Sequence, residues 1–285
     1  MKTCLIVGCR GMLGTYLSSY IPATPAGREY RISGCDLPAI DITDPRSVEE
    51  TFEREKPDLV VNCAAFTDVD GAEKNEQLAF AVNGVGPELL ARASARVGAL
   101  MVHIGTDFIF DGAHPGPYRE EDIPNPLNVY GKSKLAGEIA VTKIAPEHLI
   151  VRTAWLYGPH GKNFVDTILR LAKERGALTV VDDQAGSPTF TGVLSEYLWM
   201  LVTHGARGIY HVAGSGVCTW YDLAREAVLL SGLTVAVKPV TTAEFPRPAK
   251  RPRNSALDVG KTESFLGVEI PNWRVGLRRY LDKSL

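Results

Sequence analysis

The stretch Thr3-Cys4-Leu5-Ile6-Val7-Gly8-Cys9-Arg10-Gly11-Met12-Leu13-Gly14 decides the fold. Thr3 to Val7 is a nearly unbroken apolar run, as a strand buried on both faces of a parallel sheet requires. Three glycines follow at Gly-x-x-Gly-x-x-Gly spacing, and residues 15–20 continue as helix. Strand, glycines and helix in that order are the setting of a dinucleotide-binding turn. Glycine lets the backbone turn tightly and approach a pyrophosphate, while the helix start supplies unpaired amides and a positive dipole end. Gly8, Gly11, Met12, Leu13 and Gly14 are therefore candidate cofactor residues. The competing reading is a glycine-rich corner that only packs helix on strand; the preceding strand favours the dinucleotide.

Moving outward, residues 31–35 form a second strand that ends at Asp36, 22 residues beyond Gly14. An acidic group there accepts hydrogen bonds from ribose hydroxyls and repels a 2′-phosphate. The cofactor is thus NADPH or NADH, with Asp36 leaning to NADH and Arg10 as a counterweight that could meet a 2′-phosphate. Asp41 and Ile42 are placed beside the adenine, and Asp44, ahead of Pro45, caps a helix over 47–56. Residues 59–61 make a third strand, with Asn62 and the small Ala64 and Ala65 at its end and Thr67 just beyond. Small residues at that edge let a flat cofactor lie against the backbone. Residues 76–98 predict one helix, with Leu78, Val82, Leu89 and Leu90 on one face. Asn83 in its middle reads equally as a satisfied polar residue or as a tie to the neighbouring strand.

A fourth strand, 100–104, leads into Gly105-Thr106-Asp107. The Thr106 hydroxyl at its C-terminal edge is suited to hydrogen-bond a substrate carbonyl, whereas His103 belongs to the core. Tyr130 and Lys134 lie four apart at the opening of a further helix, hence on one face of it. An ammonium beside a phenol favours its ionised form, which suits the pair to proton transfer. Beyond a fifth strand, 149–152, come Trp155, a helix from Asn163 to Glu174, a strand at 179–181, a helix over 194–202 and a strand at 208–212. Thr219 caps a helix over 220–231. The basic, proline-rich run 246–254 reads as an anchor for nucleotide phosphates, against a solvated loop.

This alternation predicts an α/β fold, a Rossmann-type doubly wound parallel sheet with a smaller C-terminal α/β substrate-binding lobe. Residues 1–155 form the dinucleotide-binding domain and 156–285 mainly the second lobe, with parts of the chain returning to the first. The 285 residues carry net charge −2, which gives no general attraction to nucleic acid or to an anionic membrane. No apolar run is long enough for a membrane span, and no secretory signal opens the chain, so a cytoplasmic location is expected. The five cysteines form no Cys-x-x-Cys pair and the six histidines are scattered, so reduced thiols and no metal are expected. The sequence permits a homodimer without requiring one.

Taken together, Gly8/Gly11/Gly14, residues 62–65, Thr106 and Tyr130/Lys134 resemble the extended short-chain dehydrogenases/reductases in order and spacing. Six stretches narrow this to the dTDP-4-dehydrorhamnose reductase family: 66–73, 105–112, 130–138, 152–158, 183–189 and 251–255. That resemblance implies reduction of the C4 ketone of a dTDP-linked 6-deoxy-4-keto sugar, with hydride from NAD(P)H and a proton from Tyr130. It implies that Lys134 holds the nicotinamide ribose and lowers the Tyr130 pKa, and that Thr106 completes the polar grip on the carbonyl. It further places Asp107, Trp155 and Gln184 on the substrate and Arg251, Arg253 and Asn254 on its nucleotide side. Phe66 stands where many members carry a polar ring. A sister enzyme acting on another nucleotide sugar, or a non-catalytic regulatory subunit on the same fold, fits the same motifs.

Overall fold

The structure, a computed structural model, describes residues 1–284, with side chains through Asp282. Its central sheet is built from β1 (Lys2–Val7), β2 (Tyr30–Cys35), β3 (Leu59–Asn62), β4 (Leu100–Thr106) and β5 (His148–Thr153). A later strand also joins it. Ala177–Val181, here β6, lies elsewhere, and β7 (Gly208–His211) completes the sheet. All neighbours run parallel in the order β7-β5-β4-β3-β1-β2. The order reverses between β1 and β3, and that switch point opens a crevice at the strands' C-terminal ends.

Period-two alternation explains why both faces are covered. Cys4 and Ile6 of β1 face one core with Leu59 and Val61 of β3, packed under α1 (Met12–Ala23). Leu5 and Val7 face the other, with Val60 and Met101, under α2 (Pro45–Glu55) and α3 (Gly86–Val97). Neither face can stay in water, so helices wind over both, as the strand–helix alternation predicts. Asp44 caps α2 through the Arg46 amide, with Pro45 at the first helical position.

The 76–98 stretch departs from a uniform helix. Glu76–Phe80 is α-helical, Ala81–Val85 forms a π turn and Gly86 begins α3. The wider turn shifts the side-chain phase, so Leu78 emerges 50% exposed while Leu90 is buried. Asn83, within the turn, is both satisfied and a tie. Its Oδ1 accepts the Phe66 amide at 2.8 Å, and its Nδ2 donates to the Phe66 carbonyl at 3.0 Å and the Ser133 hydroxyl at 3.0 Å. The segment after β3 is thereby held to α4 (Val129–Ile144).

A second lobe pairs β6 in parallel with β8 (Ala236–Val240). Ile168 and Ala172 of α5 (Phe164–Glu174) and Ala224 and Val228 of α7 (Trp220–Leu230) give it a core of its own with Leu178 and Val180. Thr219 closes a capping box at the start of α7. Between these pieces the chain returns to the large sheet. α6 (Thr191–Thr203) packs on α1, β7 pairs with β5, and α8 (Trp273–Ser284) buries Leu277 and Leu281 in the larger core. Among the described residues no helix is long and apolar enough to cross a membrane.

Replacing Asn83 by Ala leaves the half-buried Phe66 amide and carbonyl without their partner, at up to about 1–3 kcal/mol for each unsatisfied group. Urea denaturation of Asn83→Ala is expected to show roughly 2–4 kcal/mol of lost stability. A loss within error of zero would mean that the tie is dispensable.

Candidate active site

The glycine turn leaves space in only one direction. Gly8 has φ +78°, and a Cβ on it would come within 2.6 Å of the Ala64 amide nitrogen at the end of β3. A Cβ on Gly14 would meet the Gly8 carbonyl oxygen at 2.2 Å, so this glycine is what lets α1 abut the turn. Gly11 is different, because a Cβ there would touch only the Gly8 carbonyl, at 3.4 Å. Gly11 is also the N-cap of α1 and provides no side-chain cap, which leaves the first amides of Met12, Leu13 and Gly14 for an outside acceptor. Two glycines therefore close the fold and the third opens a cradle that fits a pyrophosphate.

Asp36 ends β2 beside this turn. Its carboxylate accepts the Arg10 amide at 3.1 Å and the Leu37 amide at 2.8 Å, and the Arg10 guanidinium donates to the Leu37 carbonyl at 2.9 Å. The two groups that favour opposite coenzymes thus sit side by side. Asp41 closes its own turn through Thr43, and Ile42 is buried against Gly86. Ala64 and Ala65 line the end of β3, while Thr67 is exposed beyond them.

The chemistry gathers at the end of β4. Thr106 caps a 3₁₀ turn, Asp107–Ile109, by accepting the Phe108 amide at 3.3 Å, and donates to Asp107 Oδ1 at 3.1 Å. α4 is brought against this turn by a glycine: a Cβ on Gly131 would overlap the Phe108 carbonyl oxygen at 2.2 Å. Asn128 caps the helix through the Gly131 amide at 2.8 Å. The Tyr130 ring then packs edge-on to Phe108 at 5.6 Å, with its phenol in hydrogen-bonding reach of Thr106. One turn on, the buried Lys134 ammonium donates to the Ile104 carbonyl at 2.6 Å.

The phenol is not depressed in this arrangement. Burial, and to a lesser degree the nearby Asp107 and Glu138, push Tyr130 up to about 12, against a lowering by the Thr106 hydroxyl. The ammonium is engaged by a backbone carbonyl and does not offset that burial. A phenol raised in this way keeps its proton at neutral pH, which is the resting state of a proton donor. Burial lowers Lys134 to about 8, and Glu138 opposes that fall. Asp107, 2% exposed, rises to about 7 through burial, which the Ser255 and Thr106 hydroxyls partly counter. Its Oδ2 has no hydrogen-bond partner among the described residues. His103 is buried and held neutral by desolvation, as a core residue should be.

The substrate-side residues divide. Trp155, in the left-handed region at φ +47°, stacks face to face on Trp220 at 3.5 Å, and Gly186 leaves room for its indole. Gln184 donates to Thr242 at 3.0 Å. Arg251 is paired with Asp70, and Asn254 spends both amide hydrogens on the His114 and Gly116 carbonyls, at 2.9 and 2.7 Å. These two contacts hold the basic segment onto the first lobe. Arg253 is exposed, and its electrostatic partner is Asp183. Sequence reading passed over Asp70 and Trp220, whose partners are 181 and 65 residues away respectively. It also passed over Glu138, although the eight-residue spacing Tyr130–Lys134–Glu138 marked a third position on one helical face.

All 285 residues match the RmlD substrate binding domain family. A dTDP-4-dehydrorhamnose reductase from Mycobacterium tuberculosis (strain CDC 1551 / Oshkosh) is 46% identical over 96% of this chain and 90% of its own. Among solved structures, the dTDP-4-dehydrorhamnose reductase of Bacillus anthracis in complex with NADP superposes with a TM-score of 0.95 at 38% identity, covering 99% of this chain and all of that one. One from Clostridium acetobutylicum gives 0.94 at 40% identity, with 99% of both chains covered.

Asp107 makes a pH test available. Its folded pKa lies above that of an unfolded carboxyl, so the native state binds the extra proton and stability falls as pH rises from about 4 through about 7. Asp107→Asn is therefore expected to raise stability by roughly 2–4 kcal/mol at pH 8, with little gain at pH 4. Denaturation across pH checks this; a gain independent of pH would refute it.

Proposed function

The chain belongs to the RmlD substrate binding domain family, and we propose that it is a dTDP-4-dehydrorhamnose reductase, reducing the C4 ketone of dTDP-4-dehydro-6-deoxy-L-mannose to dTDP-L-rhamnose. The observation that carries this reading is the convergence of Thr106, Tyr130 and Lys134 on the C-terminal edge of β4, near the glycine cradle. When bound, the reduced nicotinamide supplies the hydride. Tyr130 supplies the proton to the oxygen that was the ketone, from a phenol that burial keeps protonated. Thr106, in reach of that phenol, orients the carbonyl oxygen so that proton delivery needs no large movement. Lys134 holds the ribose of the coenzyme and offsets negative charge as Tyr130 gives up its proton. Trp155, fixed by Trp220, walls the sugar side, with Asp107 and Gln184 as polar contacts. Exposed Arg253 is a cation that can meet the substrate's phosphates. The large lobe is the coenzyme domain and the β6/β8 lobe the substrate domain.

For the coenzyme, Asp36 supports use of NADH. Its carboxylate would repel a 2′-phosphate, and the Arg10 guanidinium is engaged by the Leu37 carbonyl. Asp36→Ser is expected to shift the kcat/KM ratio towards NADPH by about tenfold or more. An unchanged ratio would remove Asp36 from coenzyme choice.

The principal test is coenzyme oxidation with dTDP-4-dehydro-6-deoxy-L-mannose. Tyr130→Phe is expected to lower kcat by about 10²–10⁴-fold, with coenzyme affinity changed less than about twofold. Absence of turnover by the wild-type chain with either coenzyme would overturn the assignment.

A further inference from the structure

The basic run 246–254 leaves the second lobe after β8, crosses to the coenzyme lobe and is stitched down on both sides of its last two arginines. On the upstream side, Asp70 accepts the Ala249 amide at 3.2 Å and is paired with Arg251. On the downstream side, Asn254 donates to the His114 and Gly116 carbonyls. The Ala185 amide donates to the Arg253 carbonyl at 2.7 Å, and the Ser255 amide to the Ala185 carbonyl at 2.8 Å. The Ser255 hydroxyl is hydrogen-bonded to Asp107, next to Thr106. A Cβ on Gly112 would come within 2.6 Å of the Arg253 amide nitrogen, so the run lies directly on the segment that follows β4.

One further stitch is made by the cap of α4. Asn128 is 2% exposed. Its Oδ1 accepts the Gly131 amide at 2.8 Å, and its Nδ2 donates to the Lys250 carbonyl, also at 2.8 Å. The two ends of the side-chain amide cannot be exchanged, because one partner is an N–H and the other a carbonyl. A cap needs an acceptor alone, and Asp, Ser or Thr would serve. The donor is what asparagine adds. It joins the start of α4, two residues before Tyr130, to the residue that precedes Arg251. The first turn does not hang on this bond, since Glu73 accepts the Val129 amide at 2.8 Å.

The span of the substrate gives that bond a use. In a 4-keto sugar nucleotide the diphosphate is on C1 and the ketone on C4, at opposite ends of one ring. Once the phosphates are held, the ketone meets Tyr130 only if the phosphate anchor and the phenol stand a fixed distance apart. A misplacement of about 1 Å can cost about 10²-fold in rate. With the reductase reading as premise, we infer that Asn128 is a positioning residue that sets this distance. It ties the run whose Arg253 meets the phosphates to the helix that carries the proton donor.

The test compares Asn128→Asp, Asn128→Ser and Asn128→Ala. Asp and Ser keep the cap, but an ionised carboxylate only accepts and a serine is too short to span both partners. All three should lower kcat on dTDP-4-dehydro-6-deoxy-L-mannose by about tenfold or more, with KM and coenzyme affinity within about threefold of the wild type. Asp and Ser variants that match the wild type while Ala falls would leave Asn128 a helix cap and overturn the inference. A loss shared equally by kcat, KM and coenzyme affinity would also overturn it, since that marks general disorder. Amide hydrogen exchange adds a readout that needs neither turnover nor a variant that folds. Saturating dTDP should slow exchange over residues 129–134 of the wild type by about threefold or more, and should not do so in Asn128→Asp. Failure of dTDP to bind the wild type, or binding that leaves these amides unchanged, would sink the inference. A wild type that shows this protection yet does not turn over the sugar nucleotide would remove the reductase reading and leave the tie between run and helix standing.

Discussion

The constraint on which the site depends is how closely α4 can approach the end of β4. Three contacts set it: the backbone of Gly131 on the Phe108 carbonyl, the Lys134 ammonium on the Ile104 carbonyl, and the Glu138 carboxylate under Gly105. Each works because a glycine gives up its side chain or because a charge is brought in to satisfy a backbone group. A bulkier residue at 105 or 131 would move the helix outward, and Tyr130 would leave the reach of Thr106. The same device recurs at the switch point, where Gly8 and Gly14 bring α1 and the end of β3 together. Both halves of the crevice are thus defined by missing side chains, and the groups that remain facing it are the ones that do chemistry.

That is why so much of the fold was legible from sequence. A buried parallel strand must be apolar on both faces, a helix start needs a cap, and a close approach needs glycine; these are local demands that leave local marks. Residues 3–7, Asp44, Thr219, Gly8 and Gly14 carry them, and the family resemblance covers the rest of the chain. The marks fail where the partner is distant. Nothing near Arg251 announces Asp70, and nothing near Asn254 announces the carbonyls of His114 and Gly116, yet those pairings fix where the basic run lies. Leu78 fails for another reason. The segment is not one uniform helix: a π turn interrupts it, and Asn83 within that turn reaches Phe66 and Ser133.

The electrostatics were the least legible. A tyrosine and a lysine four apart suggest a depressed phenol pKa only if the ammonium is free to act on it. In the folded chain the phenol is buried beside Phe108 and Thr106, and desolvation, with Asp107 and Glu138, raises it. Sequence spacing places groups on a common face; it does not say which of them a backbone carbonyl will claim.

These charges also explain a cost. Asp107 is buried with an oxygen that has no partner among the described residues, Glu138 is raised by burial, and Trp155 holds a left-handed backbone conformation that a non-glycine residue adopts with strain. None of the three is the most stable choice for its position. All three border the ends of β4 and β5, on adjacent strands registered Gly105 to Arg152 and Thr106 to Thr153. A scaffold with two well-packed faces can carry such local penalties, because the strands beneath are fixed by Val102, Leu149 and Val151. Unfavourable terms collect at one edge of an otherwise well-satisfied sheet, and a site that must hold protons out of their ordinary range has to be built from such terms.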